Sequence, residues 1–122
     1  MANVLIVDDE FSIQRMLSYI LQREGHMPLT ASNAGEALAQ LKKKPVDLIL
    51  LDIAMPDIDG IAFLSQLRAM PEYEQLPIVM LTANTNMQIR KAAEEAGATA
   101  FMNKLANPDE LLSVLSELLG EV

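Results

Sequence analysis

The feature that most constrains the fold of this chain is a set of three short, almost purely apolar runs, at residues 4–7, 48–51 and 78–81. They read VLIV, LILL and IVML, without the polar alternation of a strand that has one face in water. Such runs are typical of strands buried on both faces of a parallel sheet. We therefore expect three central parallel strands with helices on both sides of the sheet.

Two weaker runs, at residues 27–31 and 99–102, complete a set of five candidate strands. The first contains Pro28, which has no backbone N–H and is tolerated mainly in edge strands. We expect these two runs at the edges of the sheet.

Apolar residues recur at helical spacing between and after the strands. Gly25 and Gly97 stand where two helices should end, and Pro108 suits the first turn of the last one. Strict alternation of strand and helix implies right-handed crossovers and an α/β fold, a doubly wound (βα)5 parallel sheet whose simplest strand order is 2-1-3-4-5. The residues predicted to face the sheet are Ile13, Met16, Leu17, Ile20 and Leu21; Ala34, Ala37, Leu38 and Leu41; Ile61, Leu64 and Leu67; Ile89, Ala92, Ala93 and Ala96; and Leu111, Leu115 and Leu118.

Length and composition restrict the class of function. A chain of 122 residues has the size of one domain, so we expect residues 1–122 to form a single domain without an output domain. Seventeen acidic against nine basic residues give a net charge of −8, which disfavours nucleic acid and anionic membranes as partners.

With no cysteine and one histidine, His26, disulfides and thiolate zinc sites are excluded. No signal-peptide pattern and no apolar run of about 20 residues occurs, so a cytoplasmic protein is expected.

Polar side chains follow the candidate strands where each strand ends. Carboxylates follow the first and third strands, a hydroxyl follows the fourth and a lysine follows the fifth. Parallel strands bring their carboxyl ends to one edge of the sheet, where sites in such folds form. The residues concerned are Asp8, Asp9, Glu10, Asp52, Thr82 and Lys104.

Singly, each of these residues has an ordinary structural interpretation. An aspartate before a helix is a good N-cap, and Asp52 suits a turn. Capping does not explain why two adjacent carboxylates, Asp8 and Asp9, should face Asp52, because such groups repel one another unless a cation lies among them. Oxygen ligands of this kind suit Mg²⁺ or Mn²⁺.

This set of groups matches the requirements of phosphoryl transfer to a carboxylate. An aspartate is a competent nucleophile toward phosphorus and forms an acyl phosphate. A metal ion, Lys104 and Thr82 would offset the charge on the phosphoryl oxygens.

The same residues resemble the receiver domain of bacterial two-component response regulators. The similarity extends over residues 3–119 and rests on VDDE at 7–10, LDIAMPDIDG at 51–60, LTA at 81–83 and Lys104. It implies a flavodoxin-like fold and a signalling switch that takes a phosphoryl group from a histidine kinase or phosphotransfer protein. Such a switch assists its own phosphorylation and dephosphorylation and is not otherwise an enzyme. It acts on a downstream protein target or on an attached output domain.

The resemblance implies roles for the acidic residues and their neighbour. Asp52 matches the phosphoacceptor, Asp9 the direct metal ligand and Asp8 the ligand that acts partly through water. The carbonyl of Ala54 matches the remaining protein ligand of the metal. Glu10 has no implied role, and we expect a solvated acid in the first turn of a helix.

The resemblance also implies a switch. Thr82 and Lys104 would contact the phosphoryl group, and Phe101 matches the aromatic residue that turns inward when Thr82 is drawn toward it. By its position alone, Phe101 is an ordinary core residue of an edge strand. The fourth helix, fifth strand and fifth helix would then change how they bind partners.

Three positions set this chain apart or tune its chemistry. Leu105 follows Lys104 where the family usually has proline, and a trans bond is expected because a cis bond costs about 2.5 to 4 kcal/mol before a non-proline residue. We therefore expect the loop from Lys104 to Asn107 to be displaced or mobile before phosphorylation. Phosphorylation should be slower than in a version with proline at position 105. Ala54 and Asn84 occupy positions that in the family tune hydrolysis of the acyl phosphate.

Three other functions fit part of the sequence. A pseudo-receiver that binds partners without phosphorylation is favoured by Leu105. An aspartate-nucleophile phosphatase would need an Asp-x-Asp motif, whereas Asp8 and Asp9 are adjacent and Ala54 stands two residues after Asp52. A flavodoxin-like nucleotide binder would need a phosphate cradle where this chain has three acids.

Overall fold

The computed structural model describes residues 2–55, 57–83, 86–104 and 106–120. Its strands and helices alternate as the apolar runs predict. The strands are β1 (Asn3–Val7), β2 (Met27–Ala31), β3 (Leu48–Asp52), β4 (Ile78–Thr82) and β5 (Ala100–Asn103). The helices are α1 (Phe11–Arg23), α2 (Ala34–Lys43), α3 (Gly60–Arg68), α4 (Met87–Ala96) and α5 (Pro108–Leu119), with a short 3₁₀ turn at Pro71–Tyr73.

All four strand pairings are parallel, and the order across the sheet is β2-β1-β3-β4-β5. The predicted α/β fold, strand order and edge positions of β2 and β5 are confirmed. The weakest boundary was that of the last strand, which begins at Ala100 and not at Thr99. Thr99 instead uses its hydroxyl to accept hydrogen bonds from the Ile78 amide and the Arg68 guanidinium.

Two apolar layers cover the two faces of the sheet. Leu5 and Val7 of β1 face α2, α3 and α4, whereas Val4 and Ile6 face α1 and α5. β1, β3 and β4 are buried almost throughout, which explains why the sequence shows continuous apolar runs there.

The helix ends follow local chemistry. Gly97 ends α4 with a φ of +107°, a backbone conformation that glycine adopts without steric cost. Gly25 has a φ of +84° just after α1, and Pro108 opens α5 as predicted. None of the described helices is long and apolar enough to cross a membrane.

Met16 is the exception to the predicted apolar stripes, since 40% of its surface is exposed. The buried stripe of α1 consists of Gln14, Leu17 and Leu21. Met16 lies to one side of that stripe, on the wall of an open groove between α1 and α5. The periodicity correctly predicted that Met16 lies in α1. It did not predict that the side chain would be exposed, because it carries no information on how far α5 covers α1.

Candidate functional site

The strand ends bring the predicted polar residues to one edge of the sheet. Asp52 and Thr82 are the last residues of β3 and β4, and Asp8 and Lys104 come one residue after β1 and β5. The ladder continues past the strands, because the Asp8 amide donates to the Ala31 carbonyl and the Lys104 amide to the Thr82 carbonyl. The backbone of each site residue is therefore held by its neighbouring strand.

Lys104 is the cationic centre of this edge. Its Nζ lies 2.9 Å from Asp8 Oδ2, 2.7 Å from Glu10 Oε1 and 3.4 Å from Asp52 Oδ2. Burial works against the charge on the ammonium, but the hydrogen bonds to Glu10 and Asp8 and the nearby carboxylates outweigh it and hold the pKa of Lys104 above its ordinary value. The lysine is thus charged and shared among three acids.

Asp52 is 3% exposed, and its environment opposes its charge. Burial and the neighbouring Asp8 carboxylate raise the pKa of Asp52 to about 6, although Lys104 and a hydrogen bond from the Ala54 amide oppose the shift. That amide lies 3.3 Å from Asp52 Oδ1. A carboxylate in this position is poorly solvated, which favours its reaction with an electrophile over its interaction with water.

The carboxylates of Asp8, Asp9 and Asp52 form a cluster that fits a divalent cation. One oxygen from each lies within 4.8 Å of the others. Asp8 Oδ2 is a fully buried oxygen whose one described polar contact is the ion pair with the Lys104 ammonium at 2.9 Å. An all-oxygen donor set with such a buried oxygen is what Mg²⁺ or Mn²⁺ would satisfy.

Hydrogen bonds from two amides, which sequence reasoning missed, hold the loop after β1. The buried amide of Gln14 donates to the carbonyls of Asp8 and Ala31 and to the Ser32 hydroxyl. The Glu10 amide donates to Asp8 Oδ1 over 2.9 Å. A signal for Gln14 existed, because its spacing from Leu17 and Leu21 puts it on the buried stripe of α1.

Glu10 is exposed, as expected, but it precedes the first turn of α1 and has a partner that we did not expect. It occupies the N-cap position of α1, and its carboxylate binds the Lys104 ammonium. Sequence spacing could not show this contact, since the two residues are 94 positions apart.

Hydrogen bonds hold the described residues on both sides of position 56 between β3 and α3. The Gly60 amide donates to the Ile53 carbonyl over 2.7 Å, and Asp57 accepts from the Ala34 amide at the start of α2. An open cleft of about 370 Å³ remains above Asp52. It is lined by Asp9, Glu10, Asp52, Ala54, Thr82, Ala83 and Lys104.

The candidate switch residues lie on adjacent strands. Thr82 is buried at the end of β4 and borders the cleft. Phe101 on β5 is partly buried, with the Arg90 guanidinium of α4 5.7 Å above its ring. Asn84 and Leu105 lie outside the described residues, so the prediction of a trans bond and a displaced loop after Lys104 stays a prediction.

The family model of the response regulator receiver domain matches residues 4–116 of this chain. A flavodoxin-type sheet with an acidic cleft at its carboxyl edge is the arrangement that the resemblance implied. This chain belongs to the response regulator receiver domain family.

Individual relatives agree with this assignment. The alkaline phosphatase synthesis transcriptional regulatory protein PhoP of Bacillus subtilis is 38% identical over 116 residues, which cover 95% of this chain and 48% of PhoP. An uncharacterized 14.6 kDa protein of Leptolyngbya boryana is 33% identical over 94% of this chain and 88% of its own length. The chain therefore spans about half of PhoP but most of the Leptolyngbya protein. The solved structure of the chemotaxis protein CheY4 of Vibrio cholerae is similar with a TM-score of 0.92 and 39% identity, over 98% of this chain and 99% of that one.

Proposed function

We propose that this receiver domain is a phosphoacceptor switch that takes a phosphoryl group on Asp52 from a histidine kinase or phosphotransfer protein. The observation that carries the proposal is the setting of Asp52, which is buried beneath an open cleft with Lys104 on one side and Asp8 and Asp9 on the other. Among the acids of the site, Asp52 alone ends a central strand directly below the cleft.

The transfer forms one bond and breaks another. A carboxylate oxygen of Asp52 attacks the phosphorus of a phosphohistidine, the P–N bond breaks, and its electron pair stays with the imidazole nitrogen, which is then protonated. Lys104 and Thr82, which both line the cleft, would stabilise the phosphoryl oxygens through the ammonium and the hydroxyl. The buried setting keeps bulk water from the carboxylate before reaction.

Asp8, Asp9, Asp52 and the carbonyl of Ala54 would hold a Mg²⁺ or Mn²⁺ ion. When bound, the ion would neutralise part of the charge shared by Asp52 and the phosphoryl oxygens. Asp8 would contribute a fully buried carboxylate oxygen that lies within 4.8 Å of an oxygen of Asp9 and of Asp52.

The output of the switch is the face formed by α4, β5 and α5. Phosphorylation would draw Thr82 toward the phosphoryl group and let Phe101 turn inward, which changes the fit of this face to a protein target or an output domain. We place this activity in the cytoplasm, on residues 1–122 acting as one domain without direct nucleic acid or membrane binding.

The test is phosphorylation of the purified chain by acetyl phosphate with Mg²⁺, followed by intact-mass analysis. We expect one added phosphoryl group on the wild-type chain and on Asp59→Asn, because asparagine preserves the N-cap of α3. Asp52→Asn should not be labelled. Equal labelling of Asp52→Asn would disprove the assignment of the acceptor, and an unlabelled wild-type chain would favour the pseudo-receiver.

A further inference from the structure

The contact between Glu10 and Lys104 has no part in the chemistry described so far. At 2.7 Å it is the shortest of the three contacts of the Lys104 ammonium, whereas the ammonium lies 3.4 Å from the candidate phosphoacceptor. The lysine that would serve the phosphoryl group is thus bound more closely by Glu10 than by Asp52.

Glu10 does not make the local contact that its position at the start of α1 offers. It is the N-cap residue of α1, yet its side chain caps no amide of that helix. Its carboxylate instead reaches across the mouth of the cleft to a lysine whose side chain is 7% exposed, while the glutamate side chain is 57% exposed. The ion pair therefore links an exposed carboxylate at the edge of the cleft to a buried ammonium inside it.

We propose that Glu10 is a positioning residue, an internal anion that occupies Lys104 in the resting state and is displaced from it when Asp52 is phosphorylated. This inference rests on the proposed function. It assigns Glu10 the place that the phosphoryl oxygens would take beside the ammonium.

The charges in the cleft determine whether the contact between Glu10 and Lys104 slows or speeds phosphorylation. A phosphoryl group on Asp52 enters a cleft that Glu10 also lines, and it carries more negative charge than the glutamate carboxylate. Like charges repel in this confined space, and the ammonium binds the stronger and more buried anion. Since the Glu10 contact must be given up first, it slows phosphorylation and weakens the phosphorylated form.

The experiment compares the wild-type chain with Glu10→Gln and Glu10→Asp, using acetyl phosphate and saturating Mg²⁺. Glutamine removes the charge, whereas aspartate keeps it on a side chain about 1.5 Å shorter, which suits the N-cap of α1 and does not reach Lys104. We expect both variants to be labelled about two- to fivefold faster than the wild-type chain, the range for a partly exposed ion pair. The affinity for beryllofluoride with Mg²⁺ should also be higher in both variants than in the wild-type chain.

Each outcome bears on the inference. If Glu10→Gln is faster but Glu10→Asp equals the wild type, the effect is the general repulsion of an anionic donor and the inference is wrong. It is also wrong if Glu10→Gln is labelled at the wild-type rate or more slowly. A wild-type chain that accepts no phosphoryl group would overturn the proposed function itself, and this inference with it.

Discussion

Asp52 remains charged at neutral pH in a place where burial and the Asp8 carboxylate both oppose its charge. Because its folded-state pKa of about 6 lies above the ordinary value of an aspartate, the folded chain takes up a proton more readily than the unfolded chain. The contribution of Asp52 to stability is therefore fully present below about pH 4 and is lost as the pH rises through about 6.

We predict that Asp52→Asn stabilises the metal-free chain at pH 7. Removing the buried charge should raise the free energy of unfolding by about 1 to 3 kcal/mol, and the gain should shrink toward zero near pH 4. Urea unfolding in the presence of EDTA, followed from pH 4 to pH 8, measures both quantities. Asp59→Asn serves as the control and should change the free energy by less than about 0.5 kcal/mol. A gain that does not depend on pH would show that the charge of Asp52 is not its cause.

Among the elements, the turn from β3 into α3 depends on a glycine that allows no side chain. A Cβ on Gly60 would lie 2.2 Å from the Asp52 carbonyl oxygen and 2.7 Å from Ile53 Cα. These are backbone atoms at the end of a central strand, so they cannot move aside without moving the candidate phosphoacceptor. The loop closes on itself over the Gly60 amide because the residue there has no Cβ.

Gly60→Ala should therefore damage both stability and the site. We expect a loss of about 2 to 3 kcal/mol in the free energy of unfolding and much slower labelling of Asp52. Gly35→Ala in α2 is the matched control, because its Cβ would meet only Asn33 Oδ1 at 3.4 Å. That substitution should stabilise the chain by about 0.5 to 1 kcal/mol. Chemical denaturation measures the stability of both variants, and the acetyl phosphate assay measures the labelling of Asp52. Normal labelling of Gly60→Ala would contradict the prediction that this turn positions Asp52.

For the whole molecule, the notable feature of α4 is that hydrogen bonds tie it to α3 while it buries few of its own residues. At its C-terminal end, the Arg68 guanidinium from α3 donates to the Gly97 carbonyl and the Thr99 hydroxyl. Along its length, α4 is lightly packed, since Ala93 is its one fully buried residue within the described residues. α4 is thus held by hydrogen bonds at its C-terminal end, whereas the rest of the helix is loosely packed.

Hydrogen exchange should reveal this asymmetry. With beryllofluoride and Mg²⁺ as a phosphoryl mimic, we expect the amides of residues 86–93 and 100–104 to change their exchange rates more than those of residues 96–99. Mass spectrometry of short peptides, with and without the mimic, measures the difference, and Phe101→Ala should reduce it if this ring couples Thr82 to α4. Identical exchange in both states would contradict the proposed switch.

Much of the fold can be predicted from the sequence because it depends on local composition. The runs at 4–7, 48–51 and 78–81 can be satisfied only by burial on both faces, and the helical spacing between them leaves one architecture. The location of Asp52 and Thr82 follows from the same logic, since strand ends in a parallel sheet share one edge.

The apolar pattern and the strand direction are sufficient to predict which residues reach the carboxyl edge of the sheet. How their side chains pair at that edge depends on the arrangement of the elements in three dimensions. Lys104 contacts Asp8, Glu10 and Asp52 together. The carboxylate of Glu10 binds this ammonium and caps no amide of α1, because the fold brings Lys104 from far along the chain to within its reach. Met16 shows the same limit, since its exposure is set by how closely α5 packs against α1. Periodicity describes one element at a time, whereas ion pairs and packing are properties of elements brought together.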